Sequence, residues 1–135
     1  MSLVIIRLAL EKRLNAMSPS LDTAWENTSF KPTPGQAYQR VTLVPAAPEN
    51  PTFGDTLRRE IGYLQVMLRY PQNKGSKDAQ ARAEMIKAWF PRGLALTESG
   101  SKIVIDRTPT ISPSITDGDR YCIPIWIRYY AEFFS

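Results

Sequence analysis

The sequence predicts an α+β fold in which an antiparallel β-sheet packs against two α-helices, in the order α-β-β-β-α-β-β-β. Apolar and polar residues alternate over residues 56–71, which is the period of a long strand. After a polar turn, residues 77–90 place apolar side chains at helical spacing. A second alternating segment, residues 121–133, indicates another long strand. Two long strands separated by an amphipathic helix indicate an antiparallel sheet with helices on one face.

The whole chain, residues 1–135, is expected to form a single domain. Its length leaves little room for a second domain, and 43% hydrophobic residues suffice for a core. No apolar run approaches the ~18 residues that would span a membrane, so no membrane partner is predicted. The single cysteine, Cys122, excludes an intrachain disulfide, which fits a cytosolic protein.

The first part of the chain is predicted to contain a helix, two strands and a loop. Helical spacing gives the first helix an apolar stripe that consists of Leu3, Ile6, Leu10, Leu14 and Met17. This helix is expected to end at Ser18, because Pro19 disfavours helical geometry in the residue before it. A short strand is predicted at residues 23–27, a loop rich in proline at residues 30–36, and a strand at residues 38–44.

The middle of the chain is predicted to contain a long loop, a long strand, a helix and a hairpin. Residues 45–54 form a loop that is either functional or mobile, or else a surface loop without a special role. The strand that follows has roughly 15 residues against a usual ~5–6, and strands of that length often project beyond the core or reach a neighbour. The second helix has an apolar stripe that consists of Ala79, Ala83, Ile86 and Phe90. Residues 94–97 and 102–107 are expected to pair as a hairpin, and Pro109 and Pro113 bound a further loop.

The last strand carries bulky side chains on both faces. Ile123, Ile125 and Ile127 share one face, and Trp126, Arg128 and Tyr130 share the other. Pro124 lacks an amide hydrogen, so the strand is expected to lie at a sheet edge or to be bulged there.

The second apolar face of this strand predicts a contact with another subunit. Helices on one side of the sheet bury only one of its two faces, and the other needs a cover. The candidate subunit-interface residues are Tyr63, Tyr70, Trp126, Arg128 and Tyr130. In the alternative interpretation, loops 28–37 and 45–54 cover that face.

The composition argues against most catalytic chemistry. Histidine is absent, which removes histidine-based general acid–base catalysis, histidine-activated nucleophiles and histidine-ligated zinc. One cysteine excludes a thiolate metal cluster within the chain. The run Asp117-Gly118-Asp119 is a turn before a strand rather than a calcium loop, because the spacing and closing glutamate of an EF-hand are missing. We predict a protein that is not an enzyme, with no catalytic, cofactor-binding or metal-binding residues.

Two weaker possibilities remain open from the residues alone. Asp106 and Glu60 would form a carboxylate pair if the sheet brought them together, as a metal-dependent hydrolase requires, but the acidic residues are dispersed. The net charge of +4 and pI of about 9.4 permit contact with nucleic acid. A stacking platform for single strands would use Tyr63, Tyr70, Tyr121 and Tyr130 with Arg58, Arg69 and Arg128. Such residues are more often cross-strand pairs on a half-buried sheet.

Short segments along almost the whole chain match a known family in order and spacing. They lie at residues 5–7, 24–27, 38–46, 50–52, 59–62, 65–66, 70–71, 83–93 and 117–121. Among them are the runs Ile5-Ile6-Arg7 and Arg59-Glu60-Ile61-Gly62. No single motif is diagnostic, but together they resemble small prophage-encoded proteins classed as tail terminators. These are related in fold to the lambda-type minor tail protein that ends the tail tube.

The resemblance implies an α+β domain that assembles into a ring, usually of six copies, on the growing tail tube. Such a ring stops polymerisation of the major tail-tube protein and presents a surface to the head-completion or connector protein. The free protein is then either already a ring or a monomer until it meets the tube tip. The resemblance also implies a place in the virion tail after assembly in the cytoplasm of the bacterial host, with no catalytic residues and no specific nucleic acid.

Two other functions compete with the tail terminator. A head–tail connector, or neck protein, is a close structural cousin that sequence separates poorly from a terminator. A small basic nucleic-acid-binding module would show DNA binding with a steep salt dependence.

Overall fold

The computed structural model describes residues 2–48 and 57–134, and within them it contains two α-helices and eight β-strands. In chain order these are α1 (Ser2–Asn15), β1 (Thr23–Ala24), β2 (Tyr38–Pro45), β3 (Leu57–Pro71), α2 (Lys77–Trp89), β4 (Ala95–Glu98), β5 (Ser101–Ile105), β6 (Thr110–Ile111), β7 (Ile115–Asp117) and β8 (Arg120–Phe134). Most of the loop predicted over residues 45–54 and the start of the strand predicted from residue 56 fall outside the described residues. Neither of these two helices is long and apolar enough to cross a membrane.

The α+β class and the predicted helices and strands are confirmed, but the sheet differs from the prediction in two details. The observed order is α-β-β-β-α-β-β-β-β-β, because β6 and β7 occupy the segment predicted as a loop around Pro113. Strands of two and three residues are too short to show an alternating pattern. The sheet is also mixed rather than purely antiparallel, since β1 runs parallel to β2.

The last strand lies in the middle of the sheet and keeps an unbroken register with β3 through Pro124, so the prediction of an edge strand or a bulge at Pro124 is wrong. The strand order is β1-β2-β3-β8-β5-β4, with β6 and β7 also paired to β8. One side of β8 pairs with β3 along its whole length, and the other side is shared by β5, β6 and β7. The Pro124 carbonyl accepts a hydrogen bond from the Ser112 amide at 2.9 Å. Its nitrogen points to the same side, so the missing amide hydrogen removes only the return hydrogen bond to Ser112, in the gap between β6 and β7.

Both helices pack on one face of the sheet, as predicted. The core contains α1 residues from Ile6 onward, the α2 stripe from Ala79 to Phe90, and the isoleucines of β8. Leu3 does not belong to it, because its side chain is 46% exposed. Tyr129 continues the isoleucine face of β8 and is fully buried.

Gly62 of β3 is the one described glycine where an added Cβ atom would meet other atoms within 4 Å. It lies opposite Tyr129 on one side and Pro45 on the other. A Cβ atom at Gly62 would stand 2.5 Å from the Val44 carbonyl oxygen and 2.6 Å from the Tyr129 hydroxyl. The absence of a side chain therefore lets the Tyr129 ring lie across β3.

Candidate functional site

The face of the sheet turned away from the helices, which we call the outer face, carries four of the five predicted interface residues. Alternate residues of β8 are buried against the helices, so Trp126, Arg128 and Tyr130 point outward between them. Tyr63 of β3 lies directly opposite Arg128 and also points outward. Tyr63 is 37% exposed, and the other three side chains are half-buried. The centre of the outer face is therefore accessible and rich in aromatic groups.

Each of the four side chains is in contact with a neighbouring side chain. The rings of Tyr63 and Trp126 meet edge to face, with centroids 5.7 Å apart and an interplanar angle of 86°. Arg128 Nε lies 3.4 Å from Asp106 Oδ2 at the end of β5. The Arg59 guanidinium stacks over the Tyr130 ring at 5.3 Å. These contacts fix the side chains in place, which lowers the entropy lost when a partner covers them.

The fifth residue, Tyr70, lies on the opposite face. It pairs with Tyr121 at the far end of β3 and β8, on the side that packs against α2. Burial raises the pKa of its hydroxyl, with smaller influences from Arg82 and Asp78 of α2. Tyr70 also lines an open cavity of about 280 Å³ beside Lys74. The structure therefore places it away from the other four.

The loop at residues 28–37 covers one end of the outer face and leaves its centre open. Arg120, which is 4% exposed, donates to the Thr33 carbonyl at 3.0 Å and to the Gln36 carbonyl. The Phe30 ring packs on Tyr38 with centroids 5.0 Å apart. This cover reaches the Arg120 end of β8 only. Residues 49–54 of the second loop, which the alternative interpretation also invoked, lie outside the described residues.

Four arginines on β3 and β8 are matched with carboxylates. The ion pairs are Arg58–Glu60 at 3.0 Å, Arg59–Glu132 at 3.2 Å, Arg69–Asp117 at 2.9 Å and Arg128–Asp106 at 3.4 Å. A nucleic acid phosphate would have to compete with each of these carboxylates. The arrangement thus suits a protein surface of mixed charge better than a phosphate-binding platform.

The acidic residues considered for catalysis do not converge. Asp106 is paired with Arg128, and Glu60 is paired with Arg58. In the described part of the chain, no three acidic or cysteine side chains come close enough to hold a metal ion. Asp117 and Asp119 flank Gly118, which has a left-handed φ of 62° at the turn between β7 and β8. The prediction of a turn there is confirmed.

Sequence reasoning missed Glu26, whose carboxylate accepts a hydrogen bond from the backbone of β2 beyond the end of β1. Glu26 Oε1 accepts the backbone amide of Leu43 at 2.9 Å, just beyond the two-residue pairing of β1 with β2. The same oxygen accepts Arg7 Nη1 at 2.9 Å. The Leu43 amide and the Arg7 guanidinium together hold the pKa of Glu26 below its usual value. No spacing in the sequence links residues 26 and 43, so no pattern could have revealed this contact.

A second missed residue is Arg82, a buried arginine on the core-facing side of α2. It is 6% exposed, and its Nη1 donates to the Pro19 carbonyl at 2.6 Å. Its Nε has no partner among the described residues, and burial lowers the pKa of the guanidinium. The one signal in the sequence was its position beside Ala79 and Ala83, on the side of the helix that faces the core.

The long strands project as a two-stranded ribbon at one end of the sheet. Residues 57–59 of β3 pair with residues 132–134 of β8, and no other described strand pairs with either segment. The pairing of β2 with β3 stops at Gly62, and that of β5 with β8 stops at Ala131. The prediction that a strand of this length reaches beyond the core is confirmed by this geometry.

Comparison with known proteins identifies the family. A family model described as phage tail terminator protein matches residues 5–129, which include three of the four outer-face residues. A solved structure of a protein designated only by a sequence identifier is 31% identical and superposes with a TM-score of 0.80, covering 100% of this chain and 99% of that one. No curated protein sequence matches this chain. The chain therefore belongs to the phage tail terminator protein family and is a structural protein of the phage tail.

Proposed function

We propose that this protein ends the tail tube. Copies of the chain close into a ring, of six subunits as the family resemblance implies, on the last layer of tube protein. The ring stops polymerisation and offers its other side to a head-completion or connector protein. The observation that carries the proposal is the accessible outer face, with Tyr63, Trp126, Arg128 and Tyr130 at its centre, in a chain of this family.

Ring closure explains why an aromatic surface stays uncovered in the single chain. A head-to-tail interface uses two different patches of each subunit. The outer face has the composition of a protein interface, since tyrosine, tryptophan and arginine are enriched at the residues that dominate binding. Its ion pairs give it both signs of charge, which favours one partner orientation over others.

The second patch has two candidates on the other side of the molecule. One is the region around Tyr70, where an open cavity lies next to Lys74 and Asp78. The other is the first part of α1, where Leu3, Val4 and Leu8 are 42–47% exposed. Apolar side chains that share one exposed surface typically mark contacts with other proteins. Either of these two regions would serve as the second patch, in contact with the outer face of the neighbouring subunit.

The test is the solution mass by light scattering over a wide concentration range, with and without the matching tail-tube protein. The wild type is expected to form a ring-sized species, alone or only with the tube protein. Trp126→Ala and Tyr130→Ala should reduce assembly while leaving the melting temperature of the monomer nearly unchanged. Met85→Ala is the control, because Met85 is a large hydrophobic residue exposed on α2, away from the outer face.

Several outcomes would contradict the proposal. Equal loss of folding and assembly in both outer-face variants would place Trp126 and Tyr130 in the fold rather than in the interface. A monomer that ignores the tube protein at every concentration would favour the connector. Steeply salt-dependent DNA binding by such a monomer would instead favour the nucleic-acid-binding module.

A further inference from the structure

A groove separate from the outer face runs along the exposed side of α2. Three adjoining cavities form it, with volumes of about 560, 290 and 390 Å³. The first two share Glu84 and Lys87, and the last two share Arg92 and Thr108. One wall is α2 with the turn that follows it, and the other is the chain from the end of β5 to β6. We call this feature the α2 groove.

The walls of the α2 groove are made of short and apolar side chains between charged ones. Ala81 and Ala88 lie two helical turns apart on the exposed side of α2. Pro91, Pro109 and Ile111 face them from the flanking segments. Small residues on the helix leave room for another chain to approach closely. No aromatic side chain lines any of the three cavities, so the groove lacks the stacking surface that nucleic-acid bases use.

The groove carries unmatched positive charge. Lys87, Arg92 and Arg107 make no hydrogen bond or ion pair with other residues in ranges 2–48 and 57–134. The acidic residues of the lining are Glu84 and Asp106, and Asp106 is already paired with Arg128. This contrasts with Arg59, Arg69 and Arg128 of the outer face, each of which has its own carboxylate. The groove therefore attracts carboxylates from outside the chain.

A strand edge borders the same groove. β6 pairs with β8 on one side, and the described residues supply no strand on its other side. The Ser112 amide points to β8, so the amide and carbonyl of the preceding residue, Ile111, point to the opposite edge. An extended chain beside β6 could use these backbone groups for strand addition.

We propose that the α2 groove binds an extended, carboxylate-bearing segment of a partner protein other than this chain. The three unmatched cations select acidic side chains, the alanines and prolines accept small apolar ones, and the edge of β6 pairs with an extended backbone. The inference is independent of ring closure, because none of the groove residues belongs to the outer-face centre.

The probe for the test is a short peptide of alternating glutamate and valine with blocked ends and a fluorescent label. Its binding to the full chain is followed by fluorescence anisotropy. We expect the triple variant Lys87→Gln, Arg92→Gln and Arg107→Gln to bind about tenfold more weakly, from three exposed ion pairs of ~0.5 kcal/mol each. Since Lys87 is half-buried, Ala88→Glu provides a second variant that adds repulsion at an exposed position and should also weaken binding.

A matched control removes the same charge elsewhere. The triple variant Lys31→Gln, Lys74→Gln and Lys102→Gln changes exposed lysines outside the groove and should bind the peptide like the wild type. An equal loss of peptide affinity in both triple variants would show that general charge attraction explains the binding, and it would overturn the proposal. The proposal would also be overturned if the wild type did not bind the acidic peptide, or if it bound a peptide of alternating glutamine and valine equally tightly.

Two further arms test the other possible occupants. Competition by single-stranded oligothymidylate that outperforms the acidic peptide would assign the groove to nucleic acid and overturn the proposal. A change in solution mass for the groove variants, without the peptide, would assign it to a second copy of the chain and also overturn it. Unchanged mass and weak competition are the expected results.

Discussion

Gly62→Ala is expected to destabilise the protein, although alanine normally suits a strand better than glycine. The ordinary gain from the smaller entropy of the unfolded chain is about 0.5–1 kcal/mol. Against it stands the new Cβ, which would lie 2.5 Å from the Val44 carbonyl oxygen and 2.6 Å from the Tyr129 hydroxyl. Both distances are below any normal contact, so β2 and the Tyr129 ring would have to move.

The size of the effect follows from these two terms. Forcing a methyl group into a packed core costs about 1–3 kcal/mol, which leaves a net loss of up to about 2.5 kcal/mol after the entropic gain of about 0.5–1 kcal/mol. The Val44 oxygen belongs to the backbone of β2, so it can move away from the new methyl group only if the strand moves. The Tyr129 hydroxyl can be removed without changing the ring, and it has no hydrogen-bond partner among the described residues. Tyr129→Phe alone is therefore expected to be neutral or to stabilise by up to ~1 kcal/mol.

Urea unfolding monitored by tryptophan fluorescence would measure both single variants and the double variant. The penalty of Gly62→Ala should fall by about half in the Tyr129→Phe background, because one of the two short contacts is gone. A stabilising Gly62→Ala would refute the close approach itself. An unchanged penalty in the phenylalanine background would show that the hydroxyl contributes nothing to it.

Three further predictions concern single ionisable groups. Glu26→Ala should cost about 1 kcal/mol after allowance for partial exposure, and Glu26→Gln less, because glutamine keeps an oxygen for the Leu43 amide. The lowered pKa of Glu26 means that its ionic contribution is present above its ordinary pKa and is lost as the pH falls through the folded value. The stability gap between wild type and Glu26→Gln, measured by urea unfolding, should therefore close on acidification, and a constant gap would contradict the assignment. Burial raises the pKa of Tyr129 to about 12, so its contribution is present below pH ~10 and is lost as the pH rises towards 12. The wild type should then lose up to ~2.7 kcal/mol relative to Tyr129→Phe in alkaline unfolding experiments, and parallel pH profiles would argue against this. Arg82→Met should remain within ~1 kcal/mol of the wild type, because methionine removes a desolvated charge along with one hydrogen bond. A melting temperature lower by more than ~10 °C would show that the hydrogen bond to Pro19 dominates.

The sequence predicts those elements whose residues repeat with a fixed period. Fifteen-residue strands and two amphipathic helices leave clear patterns, and their bounds in the structure agree with the prediction to within three residues. The α2 stripe from Ala79 to Phe90 is buried as its spacing predicts. The same periodicity assigned Trp126, Arg128 and Tyr130 to one face, which the structure confirms.

The features that escaped prediction depend on contacts between distant segments. Pro124 suggests an edge strand when read alone, but the gap between β6 and β7 accommodates it within a central strand. Tyr70 is the exception, because it lies an odd number of positions from Tyr63 on the same strand and the alternation of the strand alone places it on the other face. The contact of Glu26 with the Leu43 amide joins elements that no local pattern relates.

The central position of β8 has a consequence for how the chain folds. This strand separates β3 from β5, so neither half of the sheet is complete until residues 120–134 are in place. Its pairing with β3 joins segments separated along the chain by α2 and four strands. Such distant pairing has a high entropic cost before any contact compensates it, which makes folding slow and cooperative. During synthesis, the backbone edge of β3 therefore stays unpaired until β8 has been made, and an unpaired strand edge promotes aggregation.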